Sequence, residues 1–312
     1  MTGPARAAGL ALGFCADRLL GDPARLHPVS GFGRVAAAGE RAVYADHRLP
    51  GALLVAGLVG GAAGIGALAE RAARRSPAVQ TAVTAVATWA VLGGRSLGRE
   101  GATVAALLES DDLPAARRRV GGLVGRDPES MDAAGVARAA IESVAENTAD
   151  AVVSPLLWGA AAGPAGLLGY RAVNTLDAMF GHRNARYEDF GWAAARLDDV
   201  ANLVPARATA VLTAACAPLV GGSPRRALRT WRRDARHHPS PNAGPVEAAF
   251  AGALGIRLGG VNVYGGRVED RGTLGDGPAP TVADAARTAR LSALVGAAAT
   301  VLAAALAVSA RR

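Results

Sequence analysis

Three acidic residues spaced four apart, Glu142, Glu146 and Asp150, are the densest carboxylate pattern in the chain. On a helix that spacing puts them on one face, where like charges repel unless a cation, an arginine or a proton compensates. Oxygen ligands in such a row suit Mg²⁺, which proteins hold by one or two carboxylates together with substrate phosphates. The stripe runs into an apolar segment at Ala151, where uncompensated charge is expensive. A solvated acidic face is the plainer reading. Further along, Arg171, Asn174 and Asp177 fall at i, i+3, i+6 and share a helical face, followed by the turn Gly181-His182-Arg183-Asn184. Arg183 is a candidate fork for a phosphate or carboxylate. Arg196, Asp198, Asp199 and Asn202 follow, the last three offering oxygen ligands within about one turn. An interfacial salt-bridge network competes with a site here, because both signs alternate.

Two proline-bearing stretches add polar groups. Asp22-Pro23 and His27-Pro28 fix turned or extended backbone after the first apolar segment, which alone is an ordinary loop. In His237-His238-Pro239-Ser240-Pro241-Asn242-Ala243-Gly244-Pro245-Val246-Glu247, the Ser240–Pro245 turn is expected to present N–H groups to an anion before a helix. The histidines lack zinc spacing. Gly259 and Gly260, with Gly265 and Gly266 beyond them, permit close approach of backbone to a ligand.

The elements that carry these residues are apolar. Of 312 residues, 51% are hydrophobic, 4% aromatic and 19% charged, and 40 are glycine. Soluble domains carry about 25% charged residues; small apolar residues in long runs fit helices packed in lipid. All 34 basic residues are arginine, which excludes P-loop and Schiff-base lysine chemistry. Basic cytoplasmic loops explain the net charge of +8 without nucleic acid. Cys15 and Cys216 read as buried, inert thiols, and the N-terminus as a retained helix.

Gly51–Ala69, Ala78–Gly94 and Leu291–Ala310 are uncharged and long enough to cross the bilayer, the first two as a hairpin. Leu203–Gly222 holds Arg207 and prolines, and Ala151–Gly169 is interrupted by Pro155, Gly163, Pro164 and Gly166. Amphipathic helices are expected around Leu113–Val124 and from Asp132 towards Asp150. Ser223 and Pro224 start a basic helix whose arginine face lies on an anionic membrane surface or in solvent. A Gly/Pro/Asp-rich loop spans 267–280, and Thr281 with Asp284 begins the last helix. The fold expected is all-α: a polytopic helical membrane protein, 1–312 as one integral-membrane domain, with amphipathic and broken or re-entrant helices. Its polar, site-forming regions are 21–34, 95–150, 170–202 and 223–290.

The stretches LLGDPARLHPVSGFGR, ESVAENTADAVVSPLLW, YRAVNTLDAMFGHRNARYEDFGWAAARLDDVANLVPAR and HHPSPNAGPVEAAFAGALGIRLGG resemble, in order, the signature regions of the CbiB/CobD adenosylcobinamide-phosphate synthases. The resemblance implies a multi-pass enzyme of the cell membrane that joins (adenosyl)cobyric acid to aminopropanol or its phosphate. It also implies ATP as co-substrate with Mg²⁺, and a corrinoid substrate. Other cobalamin-assembly enzymes at the membrane are admitted as partners, and nucleic acid is not. With that reaction in view, Glu146, Asp177, His182 and Arg183 are the catalytic candidates. Asp22, His27, Asn147, Asn174, Asn184, Arg196, Ser240 and Asn242 are candidates for substrate binding. Glu142, Glu146, Asp150, Asp198 and Asp199 are candidates for metal. A crossing at Ala151–Gly169 would put the two richest clusters on opposite sides of the membrane, so one site requires a broken segment there. A transporter for an anionic substrate is the alternative; a soluble-type helical scaffold is the remaining one.

Overall fold

The computed structural model describes residues 2–22, 27–123, 128–129, 131–182, 184–264 and 267–309. It is a helical molecule with thirteen α-helices and one β-hairpin among those residues. Four helical stretches are long and apolar enough to cross a membrane: Arg48–Arg75, Ala133–Phe180, Leu203–Val220 and Val282–Ser309. The polytopic all-α reading holds. Where the sequence reads as one domain, the contacts gather the chain into two compact units. Unit 1 comprises Met1–Gly93, Asp150–Asn202 and Ala299–Arg312, and unit 2 comprises Gly94–Ala149 and Leu203–Ala298.

Unit 1 contains α1 (Gly3–Leu20), α2 (Pro28–Val43), α3 (Arg48–Ala72), α4 (Pro77–Val91), α8 (Ser154–Phe180) and α9 (Trp192–Ala201). Helix α4 starts at Pro77 with Ser76 Oγ capping Val79 N–H (3.4 Å). It is 15 residues long, short of the ~20 needed to cross. It packs on α1 while α3 packs on α8, so the expected α3–α4 hairpin is a sequence neighbourhood more than a packed pair. The α1–α4 contact is close because Gly9 and Gly13 face Thr84 and Thr88, where any Cβ would overlap the threonine side chains. That face of α1 also buries Leu10 and Asp17. Cys15 therefore lies exposed on the opposite face, correcting the expectation of two buried thiols; Cys216 is buried. Helix α3 leaves Leu53, Ile65 and Leu68 more than 60% exposed, as a lipid-facing surface would.

Helix α8 breaks as its Pro/Gly content predicts. Gly163 has φ 61°, ψ −146°, and Pro164 follows. A Cβ on Gly166 would overlap the carbonyl of Trp158, and one on Gly159 would meet Leu167. Residues eight apart touch only if the chain doubles back, so 154–162 and 164–180 are two antiparallel arms. The carbonyls freed at the break accept hydrogen bonds from Arg6, whose Nη1 reaches Ala160 O (2.9 Å) and Ala161 O (3.1 Å). Arg6 in turn pairs with Glu70 at 3.4 Å. Phe180, Phe190, Leu176, Val55, Ala36 and Ala194 form the core beside the second arm.

Unit 2 contains α5 (Gly94–Glu109), α6 (Leu113–Gly121), α7 (Ala133–Thr148), α10 (Leu203–Cys216), α11 (Pro224–Asp234), α12 (Ala243–Leu254) and most of α13 (Val282–Ser309). Side chains cap α7, α11 and α13. Asp132 caps Gly135 N–H (2.7 Å), Ser223 caps Arg226 N–H (3.3 Å), and Asp284 accepts from Thr281 N–H (2.9 Å). Residues 267–280 are not simply a loop. β1 (Leu258–Tyr264) pairs antiparallel with β2 (Arg267–Leu274), with a register shift between Gly259 and Val261. The alternation of Val261, Val263 and Val268 around Gly265-Gly266 is a hairpin signal that outweighs the glycine content.

Candidate functional site

The doubling back of α8 has a chemical consequence within unit 1. The π-helical turn Ala149–Val153, which carries Asp150, leads into the first arm, and Tyr170, Arg171 and Asn174 lie on the second. Antiparallel arms bring these together. Asp150 interacts electrostatically with both Tyr170 and Arg171, Asp198 acts on Tyr170, and Asp22 acts on Arg171. Ser154 Oγ (2.7 Å) and Tyr170 Oη (2.9 Å) both donate to Asn202 Oδ1, and Asn202 Nδ2 donates to Asp198 Oδ2 (2.9 Å). This network fixes the Asn202 amide and presents Asp198 in one orientation. Arg171 Nη1 donates to Asn174 Oδ1 (3.3 Å), and its buried Nε–H has no acceptor among the described residues. His27 caps α2, its Nδ1 accepting from Val29 N–H (3.1 Å), and turns Nε2 to Asp22 Oδ1 at 3.5 Å.

A cavity of about 360 Å³ adjoins this cluster, walled by apolar residues of α2, α3, α4 and α8, with Arg171 and Thr175 as its polar contributions. An apolar space with a polar group at its edge is the usual form of a ligand site.

The other candidates of unit 1 sit differently. Asp199 is paired with the exposed Arg196 (3.2 Å), one turn apart. Asp177 is half-buried near the end of α8, where its carbonyl accepts from Gly181 N–H (2.7 Å). His182 and Asn184 lie on an exposed loop, and Asn184 Oδ1 is occupied by the N–H groups of Arg186 and Tyr187 (both 3.0 Å). Arg183 lies outside the described residues. The loop is stapled by Arg186, which pairs with Glu40 (2.6 Å) and covers the Tyr44 ring (4.1 Å), and by Arg48 with Asp189 (2.8 Å). The Glu40 carboxylate, then Tyr187, raise the Arg186 pKa above its ordinary value, so it stays a cation.

Unit 2 holds the remaining candidates. The expected acidic stripe is divided: Glu142 and Glu146 lie on α7, whereas Asp150 follows on the wider π turn, where four-residue stacking is not kept. Glu142 is buried, and its Oε1 accepts Gly259 N–H (2.6 Å), while Arg138 donates to the Gly259 carbonyl. Glu146 is half-buried, and Asn147 beside it donates to Ser143 O (2.9 Å). The expected anion cradle before α12 is closed. Ser240 Oγ accepts from Asn242 (3.3 Å) and Ala243 N–H (3.1 Å), Ser240 O accepts from Gly244 N–H (3.3 Å), and Asn242 to Pro245 are buried. Asn242 Oδ1 accepts from Arg207 (3.5 Å), and His238 faces Glu247 at 3.6 Å in the interior.

Among the described residues no group of three or more His, Cys, Asp or Glu side chains is arranged to hold a metal ion. Mg²⁺ asks less of a protein, one or two carboxylates with phosphates completing its shell. Asp150 and Asp198 are two carboxylates that both act on Tyr170. The sequence overlooked Ser154, Arg6 and Glu70. The Gly163-Pro164 break is the signal that a cap such as Arg6 is required.

No solved structure matches the chain. A cobalamin biosynthesis protein CobD of Mycobacterium tuberculosis (strain ATCC 25618 / H37Rv) is 58% identical over 298 residues, 96% of this chain and 95% of that protein. A protein of the same name from Chromobacterium violaceum is 46% identical over 282 residues, covering 88% of each chain. Another from Geobacter metallireducens is 46% identical over 281 residues, again 88% of each. The model of the CobD/Cbib protein family matches residues 10–292, a span that takes in the α8 fold-back and every candidate site residue, and the chain belongs to that family.

Proposed function

We propose that this membrane protein works in cobalamin biosynthesis as an amide ligase. It joins a carboxyl group of (adenosyl)cobyric acid to aminopropanol or aminopropanol phosphate, giving (adenosyl)cobinamide or its phosphate, with ATP as co-substrate and Mg²⁺. The family and the relatives' names support the pathway. One observation supports placing chemistry in unit 1: the half-buried Arg171, with a buried and open Nε–H and with Asp22 and Asp150 around it, at the edge of an apolar cavity.

A carboxylate repels an amine nucleophile, so amide formation needs an activated acyl group. ATP with Mg²⁺ supplies it as an acyl phosphate, and Asp150 and Asp198 are the residues that would hold the metal. Arg171 provides a fixed cation where negative charge gathers, and costs no reorganisation because its surroundings already orient it. The His27–Asp22 pair would take a proton from the ammonium, which frees the neutral amine to attack. Asn202, locked by Ser154 and Tyr170, holds Asp198 in place.

Purified protein given adenosylcobyric acid, ATP, Mg²⁺ and aminopropanol phosphate should form the amide and consume ATP. Omitting ATP or the amine should stop the reaction. If neither amine is incorporated while the corrinoid still binds, the ligase reading fails.

A further inference from the structure

The stretch Leu203–Val220, α10 with the turn that ends it, is apolar enough to cross a membrane, but a helix packed on it in unit 2 is strongly basic. Arg207 Nη1 on α10 donates to Asn242 Oδ1 at the start of α12 (3.5 Å). Ser223 N–H, just past the end of the apolar stretch, donates to Ala253 O near the end of α12 (3.3 Å). The two helices therefore run in the same direction. Helix α11 runs back along them. Arg226 Nε at its start donates to Gly252 O (3.0 Å), and a Cβ on Gly244 would overlap the Ala235 carbonyl beyond its far end. It packs on both α10 and α12. A crossing by α10 would thus carry α11 into hydrocarbon along its whole length.

The charges of α11 forbid that position. Its buried face is Ala227, Thr230 and Asp234. On the opposite side Arg225, Arg229 and Arg232, with Arg236 in the 3-10 turn that continues the helix, fall at i, i+4, i+7 and i+11. All four are exposed, and none has a hydrogen bond or ion pair among the described residues. The other two arginines of the helix are engaged, Arg226 on Gly252 O and Arg233 on Asp234 and Asp276. What remains uncompensated is a single straight row of cations about 16 Å long. Guanidiniums without partners are expelled from the bilayer centre and attracted to anionic headgroups. Helix α10 meanwhile exposes Val204, Val211 and Leu219. Nucleic acid would use the arginines alone. The bilayer interface takes both, cations at the phosphates and apolar side chains just beneath them.

We infer that α10 and α11 lie along the membrane surface, with the α11 arginine row docked on the phosphates of anionic phospholipids and α10 not crossing. This docking goes beyond the ligase reading and needs none of its substrates.

The test uses the full-length protein with Cys15 and Cys216 changed to Ala and one new cysteine, Pro239→Cys or Arg225→Cys. Both positions are exposed, and they lie near opposite ends of α10. In sealed membrane vesicles a membrane-impermeant maleimide should label both from the same face. Labelling from opposite faces would mean that α10 crosses, and would overturn the inference. In nanodiscs, Arg225→Cys should be labelled at least threefold more slowly when phosphatidylglycerol is added to phosphatidylcholine. Salt at about 1 M, where the Debye length is about 3 Å, should erase that difference. Adding Arg229→Gln, Arg232→Gln and Arg236→Gln together should erase it too, with an unchanged unfolding midpoint because none of the three loses a partner. Equal rates in the two lipids at low salt would overturn the docking. Equal rates in the lipids with slower labelling on adding an RNA or DNA oligonucleotide would overturn it as well, and assign the row to nucleic acid.

Discussion

Asp198 and Asp199 are adjacent in sequence and of equal chemistry, yet the structure separates their roles. Asp198 accepts from the locked Asn202 amide, whereas Asp199 pairs with an exposed arginine. We expect Asp198→Asn to lower kcat at least 100-fold, about 2.7 kcal/mol of transition-state stabilisation. Asp199→Asn should stay within a few-fold of wild type, because exposed pairs are worth ~1 kcal/mol or less. Parallel assays on both variants check this, and equal losses would remove the distinction. Residue types and turn positions were legible in the sequence; their partners were not. Nothing at Ser240 said that its hydroxyl would fill the anion cradle it was expected to border. Nothing at Glu142 said that it would hold a glycine N–H more than a hundred residues away. Such pairings depend on which surfaces meet, and periodicity along one helix does not encode that.

At the scale of elements, apolar length, caps and breakers were readable, because each follows from residues a few positions apart. Ser223 and Asp284 cap as their types and neighbours predict, and Gly163-Pro164 breaks α8. The Arg6 cap was not readable, since the carbonyls it serves lie on another helix. Arg6→Gln should cost roughly 1–3 kcal/mol by stranding those carbonyls, measured as a fall in the unfolding midpoint in detergent. Gly13→Val should be as harmful, because Thr88 already fills the space. Helix α11 is tied to the turn after β2 by Asp234, which accepts from Arg233 (2.6 and 2.8 Å) and Gly275 N–H (2.8 Å). Burial alone would raise the Asp234 pKa, but Arg233 and the Gly275 N–H together bring it below its ordinary value. A carboxylate with a lowered folded-state pKa stabilises above its unfolded pKa of about 3.9 and loses that stabilisation as pH falls through the folded value. Unfolding midpoints should therefore drop below about pH 4, and Asp234→Asn should flatten that part of the curve.

For the whole molecule, composition identified the lipid environment, and the exposed leucines of α3 agree with it. Detergent should release the protein from membranes and alkaline carbonate should not; quantitative release by carbonate would contradict four apolar stretches of spanning length. The division into two interleaved units was not legible. Each unit is assembled from separated stretches of chain, and the boundaries at Gly93, Ala149 and Asn202 carry no linker composition.

The second arm of α8, 164–180, rises only about 26 Å, less than the ~30 Å of hydrocarbon. During synthesis the carbonyls freed at the break would face lipid until a partner covers them. Their partner, Arg6, is made long before them. The order of translation thus favours docking of α8 onto an already synthesised α1, in place of independent partition into the bilayer. A chain lacking α1 should integrate its other apolar segments but leave the stretch before Gly163 open to protease, and restoring α1 as a separate polypeptide should close it. Biogenesis would then depend on the N-terminal helix as a receptor for a segment that hydropathy alone counts as self-sufficient.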